Sequence, residues 1–80
     1  LKVKIYVTLK EGILDPQGKA VQHSLHILGH TGAEDVRIGK YIEIKMKDGS
    51  REAIEEEVED MCRRLLANPI IEDFRYEIDR

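Results

Sequence analysis

The sequence predicts a small α+β domain: an antiparallel sheet with two helices on one face, in the order strand, helix, long bent strand, helix, strand. Three observations predict it. The two ends of the chain alternate apolar and polar residues with period two. Two internal segments begin with helix-capping residues and continue with apolar residues three and four apart. Turn-forming residues stand between these segments. The chain has 80 residues, room for one domain over residues 1–80 with a thin core.

In the first strand Val3, Ile5, Val7 and Leu9 share one face, and Lys2, Lys4, Tyr6, Thr8 and Lys10 share the other. Asp15 before Pro16 marks a helix start. A carboxylate accepts from free amides of the first turn, and proline fits the first helical position because its missing donor is not needed there. The helix is expected from about Pro16 to about Leu28, with Val21, Leu25 and Leu28 as its apolar stripe and Gly29 and Gly32 at its stop. Gly18, in its first turn, lowers helix propensity and leaves room for the close approach of another chain.

The middle strand region is long. Val36, Ile38, Ile42, Ile44 and Met46 keep one phase from Asp35 to Lys47, with Lys40 interrupting. Either one bent strand or two strands joined at Gly39–Lys40 fits; one long strand bent or bulged at Gly39 is favoured. A strand that long overhangs a small domain and needs a partner. Ser50 then caps a second helix whose buried face is Ile54, Val58, Met61, Cys62, Leu65 and Leu66. Acidic residues from Glu52 to Glu59 crowd its front and Arg63 and Arg64 its end, in the sense that the helix dipole favours. Asn68–Pro69 closes it. Phe74, Tyr76 and Ile78 alternate with Arg75, Glu77 and Asp79 in the last strand. This order is related to the ferredoxin-like arrangement, more so if the middle strand behaves as two.

Composition narrows the function classes. Charged residues make up 36% of the chain and the net charge is −3; the mixture of signs leaves no nucleic-acid footprint. No run of 18 apolar residues is present to span a membrane. Cys62 is the only cysteine, which excludes an internal disulfide and fits a reducing, cytoplasmic setting. The chain opens at Leu1, with no recognisable signal peptide, and is read as starting slightly inside the natural chain.

The search for chemistry within one subunit finds little. His23, His26 and His30 share one side of the first helix, roughly opposite the apolar stripe, and could bind zinc; a solvated or subunit-facing surface is the plainer reading. Cys62 sits among apolar residues and reads as core. The acidic run Glu52–Glu59 reads as a solvated face. Gly39–Lys40 lacks the further glycines and Ser/Thr of a phosphate loop. No catalytic, cofactor or metal residues are assigned.

Three stretches carry a resemblance: Leu14-Asp15-Pro16-Gln17-Gly18, Val36-Arg37-Ile38-Gly39-Lys40-Tyr41, and Leu65-Leu66-Ala67-Asn68-Pro69-Ile70-Ile71-Glu72-Asp73-Phe74. In order and over essentially the whole chain they resemble the PurS family, the small subunits of phosphoribosylformylglycinamidine synthase. The resemblance implies a subunit inactive alone that forms dimers or tetramers with segment exchange. It also implies a bridge between a large ATP-dependent synthetase subunit and a glutaminase subunit in de novo purine synthesis, supporting ammonia transfer. ATP and Mg would belong to the synthetase subunit, with no cofactor here. Asp15, Gly18, Arg37, Gly39, Lys40 and Tyr41 become the interface candidates. Lys40 is expected to reach solvent or an acidic or carbonyl group, Arg37 to pair with a carboxylate, and Tyr41 to offer apolar area plus a hydroxyl. The alternatives are a small-molecule-sensing regulatory domain binding at a dimer interface, and a compact enzyme using the histidine face.

Overall fold

The computed structural model describes residues 1–80. Its elements are β1 (Lys2–Leu9), α1 (Pro16–Ile27), β2 (Gly39–Lys45), α2 (Arg51–Met61), which continues into a π-helical turn (Cys62–Leu66), and β3 (Glu72–Asp79). The sheet is antiparallel in the order β2-β1-β3. The predicted sequence of elements is therefore the observed one.

The alternation of β1 sets the two faces. Val3, Ile5 and Val7 point inward and are buried, opposite Ile44, Ile42 and Lys40 of β2 and Ile78, Tyr76 and Phe74 of β3. Ile54 and Val58 of α2 and Cys62 of the π turn, with Ala67 after it, close over this face to complete the core. Burial of these branched aliphatic side chains is the main cohesive term. The outer face carries a ladder of charged and aromatic residues, with Tyr6 tilted against Tyr41 at 5.2 Å between ring centroids and under the Arg75 guanidinium at 3.9 Å.

Only α2 lies over the core. The structure corrects the expectation of two helices on one face, because no residue of α1 contributes to the core or packs against it. Its stripe stays open: Val21 is 39% exposed, Leu28 73% and the adjoining Ile27 72%. The molecule is accordingly elongated, 49 × 26 × 14 Å, with a radius of gyration of 16.0 Å, against about 12 Å for a compact chain of this length. The reason is area: three short strands offer one inner face, and α2 with its π turn already fills it.

The long middle strand is also corrected. Pairing runs only over Gly39–Lys45, one strand with no second one before it. The ladder with β1 ends at Thr8 opposite Gly39, and Leu9, the last residue of β1, pairs only with Glu72 of β3. Residues 35–38 continue without a ladder partner and lie along α1 instead.

Candidate functional site

Five of the six candidates converge on one region, the root of an arm made of α1 and the returning segment 33–38. Asp15 is its centre. The carboxylate is buried, 7% exposed. Oδ1 accepts from the Gly18 amide at 2.8 Å, the helix cap foreseen from the sequence. Oδ2 accepts from the Ile38 amide, also at 2.8 Å. One side chain thus joins the outgoing leg of the arm to the incoming one. These amides hold the Asp15 carboxyl below its ordinary range, those of Ile38 and Gly18 first, with the Arg37 charge adding to them.

Gly18 is buried in the first turn of α1. The space beside it is taken by the Val36 carbonyl of the same chain, which would lie 2.1 Å from a Cβ at this position. The close approach expected from another chain is therefore made by the chain's own return segment. Arg37 finds carbonyls where a carboxylate was expected: its Nη2 donates to the Leu9 oxygen at 2.7 Å and the Lys10 oxygen at 3.0 Å. It fastens the return segment to the end of β1. Gly39 carries no bulge; a Cβ there would meet the Val7 oxygen at 2.4 Å, so glycine lets β2 begin directly beside β1.

Lys40 stands on the inner face opposite Val7, where an ammonium without a partner would be costly. It reaches past the core and donates to the Leu66 carbonyl at 3.2 Å. That carbonyl lies in the π-helical turn, a feature the sequence did not signal; it follows α2 directly and leaves Leu65 82% exposed. Tyr41 faces the other way. It lies on the outer face, 52% exposed, and its hydroxyl contacts Glu43 at 3.3 Å. The candidates are thus five residues at the arm root and one on the open sheet face.

Two open hollows flank Asp15. One of about 300 Å³ is lined by Gly12, Ile13, Leu14, Lys19, Asp35 and Arg37 among others. The second, of about 250 Å³, is lined by Gln17, Ile38, Lys40 and Glu72 among others. Neither holds a nucleophile paired with a base. No three His, Cys, Asp or Glu side chains converge in a way that could hold a metal ion. Of the three histidines, His26 braces the arm, its Nε2 lying 2.7 Å from the Ala33 carbonyl oxygen. Cys62 is fully buried, and burial pushes its thiol up, away from the reactive thiolate. No helix is long and apolar enough to cross a membrane.

Comparison with known proteins gives a consistent result. The family model described as "PurS: Phosphoribosylformylglycinamidine (FGAM) synthase" matches residues 2–80. The phosphoribosylformylglycinamidine synthase subunit PurS of Bacillus subtilis is 53% identical over 78 residues, covering 98% of this chain and 92% of the relative. A crystal structure of B. subtilis PurS superposes with a TM-score of 0.88, covering 99% of this chain and 98% of that one. PurS of Methanocaldococcus jannaschii, described as one of the subunits of formylglycinamide ribonucleotide amidotransferase in the purine biosynthetic pathway, is 38% identical with a TM-score of 0.87, covering 99% and 95%. A chain of the Thermotoga maritima PurLQS structure is 26% identical with a TM-score of 0.86, covering 95% and 93%.

Proposed function

The chain belongs to the PurS family, and from that premise we propose that it is the small, non-catalytic subunit of phosphoribosylformylglycinamidine synthase. In this reading it bridges an ATP-dependent synthetase subunit and a glutaminase subunit in de novo purine synthesis and supports ammonia transfer between them. The observation that carries it is the family match over residues 2–80, together with 53% identity to the B. subtilis subunit over 98% of this chain and 92% of that one. The T. maritima PurLQS structure supports the two larger partners. ATP and nucleotide binding belong to the synthetase. A cytoplasmic setting agrees with a lone, buried, unpaired cysteine.

The shape of the chain supports self-association with exchange of the arm between copies. A thin core, an elongated form and an uncovered stripe on α1 leave apolar area that a second copy would bury. Asp15, Gly18, Arg37, Gly39 and Lys40 would serve the interface by shaping the arm that carries the stripe. Tyr41 would serve it directly, as an exposed aromatic with a hydroxyl on the open sheet face.

The test is copurification from native cytoplasm through a tag on this chain. Recovery of a large synthetase and a glutaminase in a complex of defined mass supports the reading. Recovery of the chain alone, with both larger proteins present in the lysate, contradicts it.

A further inference from the structure

The arm formed by α1 and residues 33–38 is braced within itself and weakly attached to everything else. Inside it, Gln22 Nε2 donates to the Glu34 carbonyl at 2.6 Å and to the Ala33 carbonyl at 3.3 Å. His26 meets the same Ala33 carbonyl. Gly18 lets the Val36 carbonyl close against the first turn. These contacts bind the two legs along their length, so the arm is one body.

At its root the character changes. No residue of α1 belongs to the apolar core or to the hydrophobic residues packed against it. Open hollows lie on either side of Asp15, one of them between Gln17 and Ile38 of the arm and Val7 and Leu9 of β1. The bonds at the root are polar and directional: Asp15, just before the arm, accepts from Gly18 in one leg and Ile38 in the other, and Arg37 ties the second leg to the Leu9 and Lys10 carbonyls at the end of β1. On the outgoing side the connection from β1 includes Gly12, at φ +84 with nothing within 4 Å of a Cβ, a position that offers little resistance to rotation. On the incoming side Gly39 is fixed by pairing with Thr8.

We propose that Asp15 and Arg37 form a polar latch that sets the direction of a rigid arm, and that this direction decides whether the α1 stripe can meet a second copy. The proposal rests on the self-association reading given above, and it adds the device that controls it. Hydrophobic packing tolerates sliding, whereas two carboxylate bonds and two guanidinium bonds define an angle. Asp15→Asn keeps the size of the side chain but offers a donor where one of the two amides needs an acceptor. The latch then holds one leg only.

Residual dipolar couplings measure the angle directly. They are recorded in a Leu28→Asp background, in which the stripe is disabled and a second copy cannot hold the arm. With Asp15 intact, the amides of α1 and those of the sheet fit one alignment tensor. With Asp15→Asn or Arg37→Ala added, the α1 couplings shrink and need a tensor of their own, while sheet amides keep their exchange protection. In the otherwise native chain, Asp15→Asn weakens self-association at least tenfold. A single shared tensor in both variants overturns the proposal. So does loss of sheet protection together with the arm, since Asp15 would then support the whole fold and not its aim. Failure of the native chain to self-associate is a separate result, read by sedimentation, and contradicts the self-association reading while leaving the arm measurement intact.

Discussion

A Cβ on Gly18 would stand 2.1 Å from the carbonyl oxygen of Val36. The obstacle is backbone, so it cannot turn aside as a side chain would. In an open helix, replacing glycine by alanine stabilises by about 1 kcal/mol. Here the sign reverses. Gly18→Ala is predicted to destabilise by about 1–3 kcal/mol, the usual range for overpacking, with loss of amide protection concentrated in α1 and at Ile38. Denaturant titration with hydrogen exchange on the same variant checks both parts.

Asp15 gives a pH dependence with a definite sign. Its carboxyl titrates below the ordinary aspartate value of 3.8 because two amides donate to the ionised form. The folded chain therefore binds fewer protons here than the unfolded chain, and the stabilisation is present above the ordinary value and lost as pH falls through the lowered one. Lys19, Asp35 and Arg37 line the hollow on one side, and Lys40 and Glu72 the hollow on the other. Amide exchange at Gly18 and Ile38 is predicted to stay slow from neutral pH down to about 4 and to accelerate below it, after correction for the intrinsic pH dependence of exchange. The same profile in Asp15→Asn should lack that step.

Cys62 is predicted to be chemically silent in the folded chain. It is fully buried between α2 and the sheet and its thiol is pushed up by that burial. Thiol reagents at neutral pH should modify it only at the rate of unfolding, and full reactivity should appear in denaturant. Rapid labelling of the native chain would show that the π turn opens locally.

Lys40→Ala separates stability from association. The bond to Leu66 is exposed, so its removal is predicted to lower stability by about 1 kcal/mol or less. Its effect should fall on the π turn and the exposed Leu65 beside it, and binding to the larger subunits should weaken. Affinity and thermal unfolding measured on one sample decide the matter. Native affinity in Lys40→Ala, Arg37→Ala and Tyr41→Ala together would rule this region out of the interface.

Local chemistry was legible in the sequence wherever it was periodic or capped. Val3, Ile5 and Val7 named the inner face, Asp15 and Ser50 named the helix starts, and both side chains accept from the first-turn amides of Gly18 and Ala53 as expected. Other features were not legible, each for a physical reason. The length of β2 depends on where β1 runs out, which the phase of residues 35–47 does not record. The second bond of Asp15 reaches the Ile38 amide, a contact across 23 residues that no local pattern encodes. The stripe of α1 signals an amphipathic helix, but periodicity does not say whether the covering surface belongs to the same chain. The spacing of the three histidines placed them on one side of the helix, read chiefly as a solvated or subunit-facing surface, and did not foresee that His26 meets the Ala33 carbonyl.

The most direct test of the account is reconstitution of glutamine-dependent phosphoribosylformylglycinamidine synthesis from separately purified chains. The small chain alone is predicted to form no product and release no ammonia from glutamine. Added to the synthetase and glutaminase subunits, it should bring all three into one complex and raise glutamine-dependent synthesis, while synthesis from free ammonia by the synthetase changes little. Turnover that follows this chain alone, or glutamine-dependent synthesis by the two larger subunits that is unchanged when it is omitted, would contradict its role as a bridge.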